Sequence, residues 1–293
     1  MAKNRLASAL VCGICEAWQV IPKIRYECER GVRQHHAVEI GDPELDPRLA
    51  ALYDEEQVWS DDDDFFLKLV NRAPGRRIVD VGCGTGRLTV AMAMAGHRVT
   101  GVDPNPSFLA IAQAKSSADK VSWIRGTTAD LPTANFDVAL MTSHVAQVFL
   151  TDEEWAAVLA DLKGALVPDG FLAFDTRDPA AKAWESWGGG GRSLLADGLV
   201  VDNAIAMSFQ HDIAMAEHVM AFSDGSRPAD EVRATPLPGT TWAKAQWGYR
   251  FRTPDHVQKT VEAAGFTIES VYGGWHQEPL GEGVGEIVVI ARA

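Results

Sequence analysis

The run Ile78-Val79-Asp80-Val81-Gly82-Cys83-Gly84-Thr85-Gly86-Arg87-Leu88-Thr89 decides the architecture. Apolar, mostly β-branched residues lead straight into three alternating glycines, and a helical pattern follows. A second apolar run, Val99-Thr100-Gly101-Val102, closes on Asp103. The order is a strand, a turn with little room for side chains, a helix, and a second strand ending in a carboxylate. That is the front half of a nucleotide-type binding unit.

The alternation continues downstream. The pattern predicts strand Arg76–Val81, helix Arg87–Ala95, strand Arg98–Asp103, helix Ser107–Lys115 and strand Val121–Arg125. It then predicts strand Phe136–Met141, helix Asp152–Leu166 and strand Phe171–Asp175. Upstream, Asp46 to Trp59 reads as a helix and loop, and Asp61–Asp64 opens a helix carrying Phe65, Phe66, Leu69 and Val70. Acidic residues suit the positive end of a helix dipole. Consecutive aspartates point around a helix, which argues against a metal site there. Near the end, Thr253 and Pro254 mark a helix start before Pro254–Ala264. Strands Phe266–Tyr272 and Glu286–Ala291 follow. Their connection is too short for a helical crossover, so they are expected to be antiparallel. The predicted fold is α/β, a doubly wound seven-stranded, mostly parallel sheet with an antiparallel strand near one edge.

Between Asp175 and Thr253 the alternation breaks. This segment holds Trp184, Trp187, the glycines Gly188–Gly191, and strand-like runs Leu199–Phe209, Glu217–Phe222 and Trp242–Phe251. It reads as a β-rich cap inserted into the core. The expected organisation is an N-terminal extension over 1–45, a core over 46–175 and 253–293, and the cap over 176–252.

The 293 residues are 46% hydrophobic and 23% charged, the composition of a globular protein, and carry a net charge of −13. An acidic chain repels phosphate backbones, so no nucleic-acid partner is expected. No apolar run approaches the ~20 residues that cross a bilayer, so no membrane partner is expected. Cys12, Cys15, Cys28 and Cys83 make no disulfide framework for a chain this long. The opening residues weakly suggest a secretion signal, but the apolar stretch before Glu16 is short. A cytoplasmic protein is the expectation. Cys12-Gly13-Ile14-Cys15 with Cys28, His35 and His36 offers zinc-ligand types without a second paired spacing.

A dinucleotide fingerprint spaces its glycines G-x-G-x-x-G. Here Gly82, Gly84 and Gly86 read G-x-G-x-G, and Arg87 stands where the third glycine would be. A nicotinamide-dependent oxidoreductase is thereby disfavoured. With Asp103 and Asp130, the chain resembles the class I S-adenosylmethionine-dependent methyltransferases. The resemblance covers residues 46 to 293 in element order. Gln147–Asp152, Phe174–Pro179 with Trp184, and Tyr249–Pro254 resemble a bacterial small-molecule-type subgroup, many members of which have no assigned acceptor. Residues 1–45 do not map onto the family.

The resemblance implies a cofactor, S-adenosyl-L-methionine with product S-adenosyl-L-homocysteine, and roles for named residues. Gly82, Cys83 and Gly84 would let backbone amides approach the amino-acid end of the cofactor. Arg87 would reach its carboxylate, or remain an exposed helix residue. Asp103 would accept from the ribose hydroxyls, or cap the helix after Pro104. Ala129, Asp130 and Leu131 would meet the adenine, with Asp130 accepting from its exocyclic amine, or serving as a turn residue. Tyr53 would lid the sulfonium, or pack in the core. Thr142 follows the fourth strand into the same site.

For the acceptor, His144 lies where the strands' carboxyl ends bind ligands, and an imidazole can take a proton near neutral pH. The alternative is a histidine bonded to loop backbone. Arg177 could meet a polar acceptor group or pair with Asp175. Trp59, Trp184 and Trp275 could wall an apolar pocket or pack within the fold. The expected partners are a small-molecule acceptor methylated at O or N and a second copy docked through the cap as a homodimer. The competing function is a non-catalytic cofactor-binding protein that uses its cap as a partner surface.

Overall fold

A computed structural model describes residues 47–194, 200–223 and 241–293. The N-terminal extension and its Cys12, Cys15, Cys28, His35 and His36 lie outside the described residues. Two helices lead in, α1 (Pro47–Glu56) and α2 (Asp61–Val70). The alternating unit follows as β1 (Arg77–Val81), α3 (Arg87–Met94), β2 (Arg98–Asp103), α4 (Pro106–Ala114), β3 (Val121–Arg125), β4 (Phe136–Met141), α5 (Asp152–Ala165) and β5 (Leu166–Arg177). Strands β6 (Gly189–Leu194), β7 (Val200–Gln210), β8 (Ile213–Ser223) and β9 (Thr241–Arg250) come next. Helix α6 (Pro254–Ala263), β10 (Thr267–Tyr272) and β11 (Glu286–Arg292) complete the order.

The main sheet has seven strands in the order β10-β11-β5-β4-β1-β2-β3. Every neighbouring pair is parallel except those made by β11, which runs antiparallel to both β5 and β10. The strand order reverses beside β1, where open α/β sheets place their ligand crevice. Strands β6 to β9 form a separate antiparallel four-stranded sheet.

Both faces of the main sheet are covered, and that is why its strands read as near-continuous apolar runs. Side chains alternate between two cores. Val79, Val81 and Leu172 join Trp155, Leu159 and Leu162 of α5 and Val257 and Val261 of α6. Ile78, Val138 and Ala173 join Phe66 and Leu69 of α2 and Leu88 and Met92 of α3. Full burial of an aliphatic or aromatic side chain is worth ~1.5–3 kcal/mol, so these stripes hold the helices against the sheet. Helix α5 starts at a reciprocal cap, with the Glu154 amide donating to Thr151 Oγ1 at 3.1 Å and the Thr151 amide donating to Glu154 Oε2 at 3.0 Å.

Two segments differ from expectation. β5 begins at Leu166, directly after α5, and runs through Pro168-Asp169-Gly170, which read as a break between helix and strand. The β4–β5 register shifts between Phe136 and Val138, which absorbs the proline, and Asp169 takes a φ of 62°. Three of the four consecutive glycines, which lie outside the strand-like runs of the cap, belong to β6, where backbone pairing with β7 supplies the order.

Candidate active site

Asp103 locks the loops that follow β1 and β2. Its Oδ2 accepts from the Gly84 amide at 2.9 Å and its Oδ1 from the Asn105 amide at 2.8 Å. The amides of Gly82 and Cys83 both reach Val102 O, at 2.8 and 3.1 Å. Burial pushes the Asp103 carboxyl up, and the two amides pull it back. Pro104 is exposed beside it.

The glycines have distinct reasons. A Cβ on Gly82 would stand 2.6 Å from the Val145 side chain, so the glycine lets the segment after β4 close onto the loop. A Cβ on Gly86, at φ +77°, would stand 2.7 Å from the Trp123 ring. Gly84, at φ +53°, faces open space. An open glycine backbone beside a strand-end carboxylate is a cradle that a ligand with ribose hydroxyls fits.

Arg87 does not point free into this space. Its guanidinium donates to the Asp63 carboxylate and to Val58 O. Asp63 is 2% exposed, and burial raises its carboxyl to about 6 against the opposing pull of the Ser60 amide and Arg87. The salt bridge ties α2 to the start of α3. Tyr53 of α1 packs its ring 5.1 Å from Phe108. Its phenol is pushed up by burial, then by Tyr249, with Arg87 opposing and Asp103 and Asp62 adding to the rise. Those neighbours place Tyr53 between the glycine loop and the second sheet. Asp130 is exposed, and its Oδ2 accepts from the Thr127 amide at 2.8 Å. Ala129 is exposed, while Leu131 packs partly against the core. Thr142 and Cys83 are half-buried, and burial pushes the Cys83 thiol up.

Past β4, His144 adopts a φ of 66°. Its amide donates to Asp175 Oδ2 at 2.8 Å. Its Nε2 lies 3.0 and 3.1 Å from the two Glu286 carboxylate oxygens and 3.4 Å from Asp175 Oδ2. Asp175 is fully buried, its Oδ1 has no hydrogen-bond partner, and burial raises its carboxyl to about 6. Asp62 reaches the same place, its Oδ2 3.4 Å from Ser143 Oγ. Arg252, 4% exposed, pins the segment from below. It donates to Ala146 O at 3.2 Å, Phe149 O at 2.7 Å and Thr151 O at 3.0 Å, and stacks 5.1 Å from the Trp155 ring centroid.

The residues read as acceptor contacts do not all converge. Arg177 donates to Gln147 Oε1 at 2.9 Å and lies 4.8 Å over the Trp187 ring, rather than pairing with Asp175 by a hydrogen bond. Trp184 stacks on Phe209 at 4.2 Å and packs edge-on to Phe251. Trp187 meets Tyr249 at 5.2 Å. These rings join the second sheet to the rim of the first. Trp59 is exposed and donates to Asp64 Oδ1 at 2.7 Å. Trp275 packs 6.0 Å from the rings of both Phe65 and Phe66 in the helical core.

Sequence reasoning passed over Asp80 and Glu286. Asp80 sits inside the glycine motif, 2% exposed, with Oδ2 accepting from Thr89 Oγ1 at 2.6 Å and Oδ1 unpartnered. Its signal was an acid in an otherwise apolar strand. Glu286 has only a register signal: β11 pairs Glu286 with Arg177 and Val288 with Asp175.

Residues 78–170 match the methyltransferase-domain family. A methyltransferase from Geobacillus sp. (strain WCH70) is 37% identical over 112 residues, which are 37% of this chain and 45% of the relative. The chain spans about half the length of the first curated relatives it matches. An S-adenosylmethionine-dependent methyltransferase structure from Clostridium acetobutylicum ATCC 824 superposes with a TM-score of 0.66 at 13% identity, over 84% of this chain and 97% of that one. The sugar N-methyltransferase KedS8 from Streptoalloteichus sp ATCC 53650 superposes with a TM-score of 0.64 at 15% identity, over 94% of this chain and all of that one. The domain match over residues 78–170 and the shared fold agree with the glycine spacing and the strand order.

Proposed function

We propose that the protein transfers a methyl group from S-adenosylmethionine to O or N of a small-molecule acceptor. The observation that carries this reading is the meeting of two half-sites at the carboxyl ends of the strands. One is the open glycine cradle with Asp103, and the other is His144 with its two carboxylates.

Gly82, Cys83 and Gly84 would hold the amino-acid end of the cofactor, and Asp103 its ribose. The Asp103 oxygens each accept one amide, which leaves acceptor capacity for hydroxyls. Ala129, Asp130 and Leu131 would border the adenine, with Pro104 and Thr142 at the margins and Tyr53 over the sulfonium. Arg87 contributes by fixing α2 against α3 through Asp63. When bound, S-adenosylmethionine supplies a methyl group on a good leaving group. The chain's task is then to hold the acceptor in line and accept a proton, and positioning supplies much of the acceleration. His144 holds that proton, with Glu286 fixing the ring and balancing its charge. Trp184 and Arg177 border the acceptor from the end of β5 and the segment that follows it, with Trp59 and Trp275 contributing to the surrounding structure. The second sheet is the surface for a partner copy.

Calorimetry with S-adenosylmethionine, S-adenosylhomocysteine and NAD tests the cofactor half. Binding of NAD but not of S-adenosylmethionine refutes the reading. Transfer of labelled methyl to metabolite pools tests the acceptor half. Cofactor binding with no transfer to any pool would make the protein a cofactor-binding module.

A further inference from the structure

At the amino-terminal edge of the main sheet, opposite the glycine cradle, lies a cavity of about 90 Å³ lined by Leu69, Arg72, Arg76, Phe171, Glu269, Ile290 and Arg292. A single water needs only ~10–15 Å³ of such space, so this one has room for several waters or one tetrahedral oxyanion.

Three guanidinium groups face it and one carboxylate answers them. Arg292 is fully engaged. Its Nη2 donates to both Glu269 oxygens, at 2.7 and 2.9 Å, its Nε to Oε1 at 3.0 Å, and its Nη1 to Asp169 O at 2.8 Å. Asp137, the nearest further acid, is held by Arg77 at 2.6 Å. Among the described residues Arg76 makes no hydrogen bond from its buried Nε, and its Cζ lies 5.1 Å from the Phe171 ring centroid. Arg292 lies 5.8 Å from the same ring, so two cations share one aromatic face or edge. Burial, with Arg292 and Arg72 nearby, works against the Arg76 charge, and Asp137 opposes that only in part. Among the described residues no ion pair reaches Arg72, just beyond the C-cap of α2. The described residues of a chain with a net charge of −13 thus gather three guanidinium groups around a small cavity lined by a single carboxylate.

We propose that this cavity binds a tetrahedral oxyanion, a phosphate group, whose oxygens take the free N–H donors of Arg76 and Arg72. Guanidinium forks match phosphate geometry bidentately. The site is separate from the methyl-transfer reading and stands whether or not that reading holds.

The test is titration of the full-length protein with inorganic phosphate, followed by calorimetry and by ³¹P line broadening, with glycerol 3-phosphate as a parallel arm. One saturable site per chain is expected, with at least tenfold weaker binding in Arg76→Gln and in Arg72→Gln, each checked for wild-type circular dichroism. Preference for glycerol 3-phosphate assigns the site to a phosphorylated metabolite, and equal binding assigns it to free phosphate. If Arg76→Gln fails to fold, the exposed Arg72 carries the test alone. No saturable binding to the wild type, or binding untouched by these substitutions, overturns the proposal.

Discussion

Asp80→Asn should stabilise this protein more at alkaline than at acidic pH. Burial, against the Thr89 hydrogen bond and with Asp103 and Asp63 adding, pushes the Asp80 carboxyl from 3.8 to about 7. A carboxyl whose folded pKa exceeds its unfolded value keeps its proton in the folded chain across the window between the two. Stability therefore falls as pH rises from about 4 to about 7. Each pH unit in that window is worth about 1.36 kcal/mol. The ionised carboxylate thus costs the fold ~4 kcal/mol above pH 7, of which well under half is already present at pH 5. Asparagine keeps the shape and can still accept from Thr89, but it does not titrate. Its unpartnered amide adds a cost independent of pH. The stability of the variant relative to wild type should therefore rise by ~3 kcal/mol between pH 5 and pH 8. Urea unfolding followed by circular dichroism at both pH values measures this difference. The same difference at pH 5 and pH 8 would refute the raised carboxyl.

Gly86→Ala forces a Cβ to 2.7 Å from the Trp123 ring at a φ of +77°. Combined backbone and overpacking costs should lower unfolding free energy by ~2–4 kcal/mol, seen as a fall in Tm. Arg252→Leu removes three bonds to the carbonyls of the segment after β4. It should cost ~3 kcal/mol or more in urea unfolding, and a loss below ~1 kcal/mol would show that the segment holds itself. Asp103→Ala strips the shared acceptor from the Gly84 and Asn105 amides. S-adenosylmethionine affinity should then fall at least ~10-fold by calorimetry, and unchanged affinity would remove Asp103 from the cofactor site. His144→Ala should leave that affinity intact while flattening the pH dependence of turnover, read once an acceptor is in hand.

Much of the core was legible because its signals are local. The glycine spacing, the carboxylate ending β2, and the proline and threonine opening α6 each act within a few residues of themselves. The antiparallel final pair followed from connection length alone. What stayed hidden depends on register. Nothing near Glu286 announces that it meets His144, 142 positions earlier, because the contact arises from β11 pairing beside β5. Arg87 had the right position to face a ligand, yet the run of aspartates opening α2 supplies a competing anion across the fold. Trp275 reads equally as a pocket wall or as a packing residue, and Phe65 and Phe66 take it into the core. Pairings between distant segments decide such cases, and residue type alone cannot.

The pairing of Glu286 with His144 also sets an order of events during synthesis. The residues proposed to hold the nucleoside, from the glycine cradle to Thr142, lie within one contiguous stretch that is synthesised well before β11. The side proposed to handle the proton is completed only once β11 has emerged and threaded between β5 and β10. A nascent chain therefore passes through a stage in which His144 has Asp175 beside it but not yet Glu286. In the proposed reading, the second carboxylate at His144 is the last piece of the site to arrive.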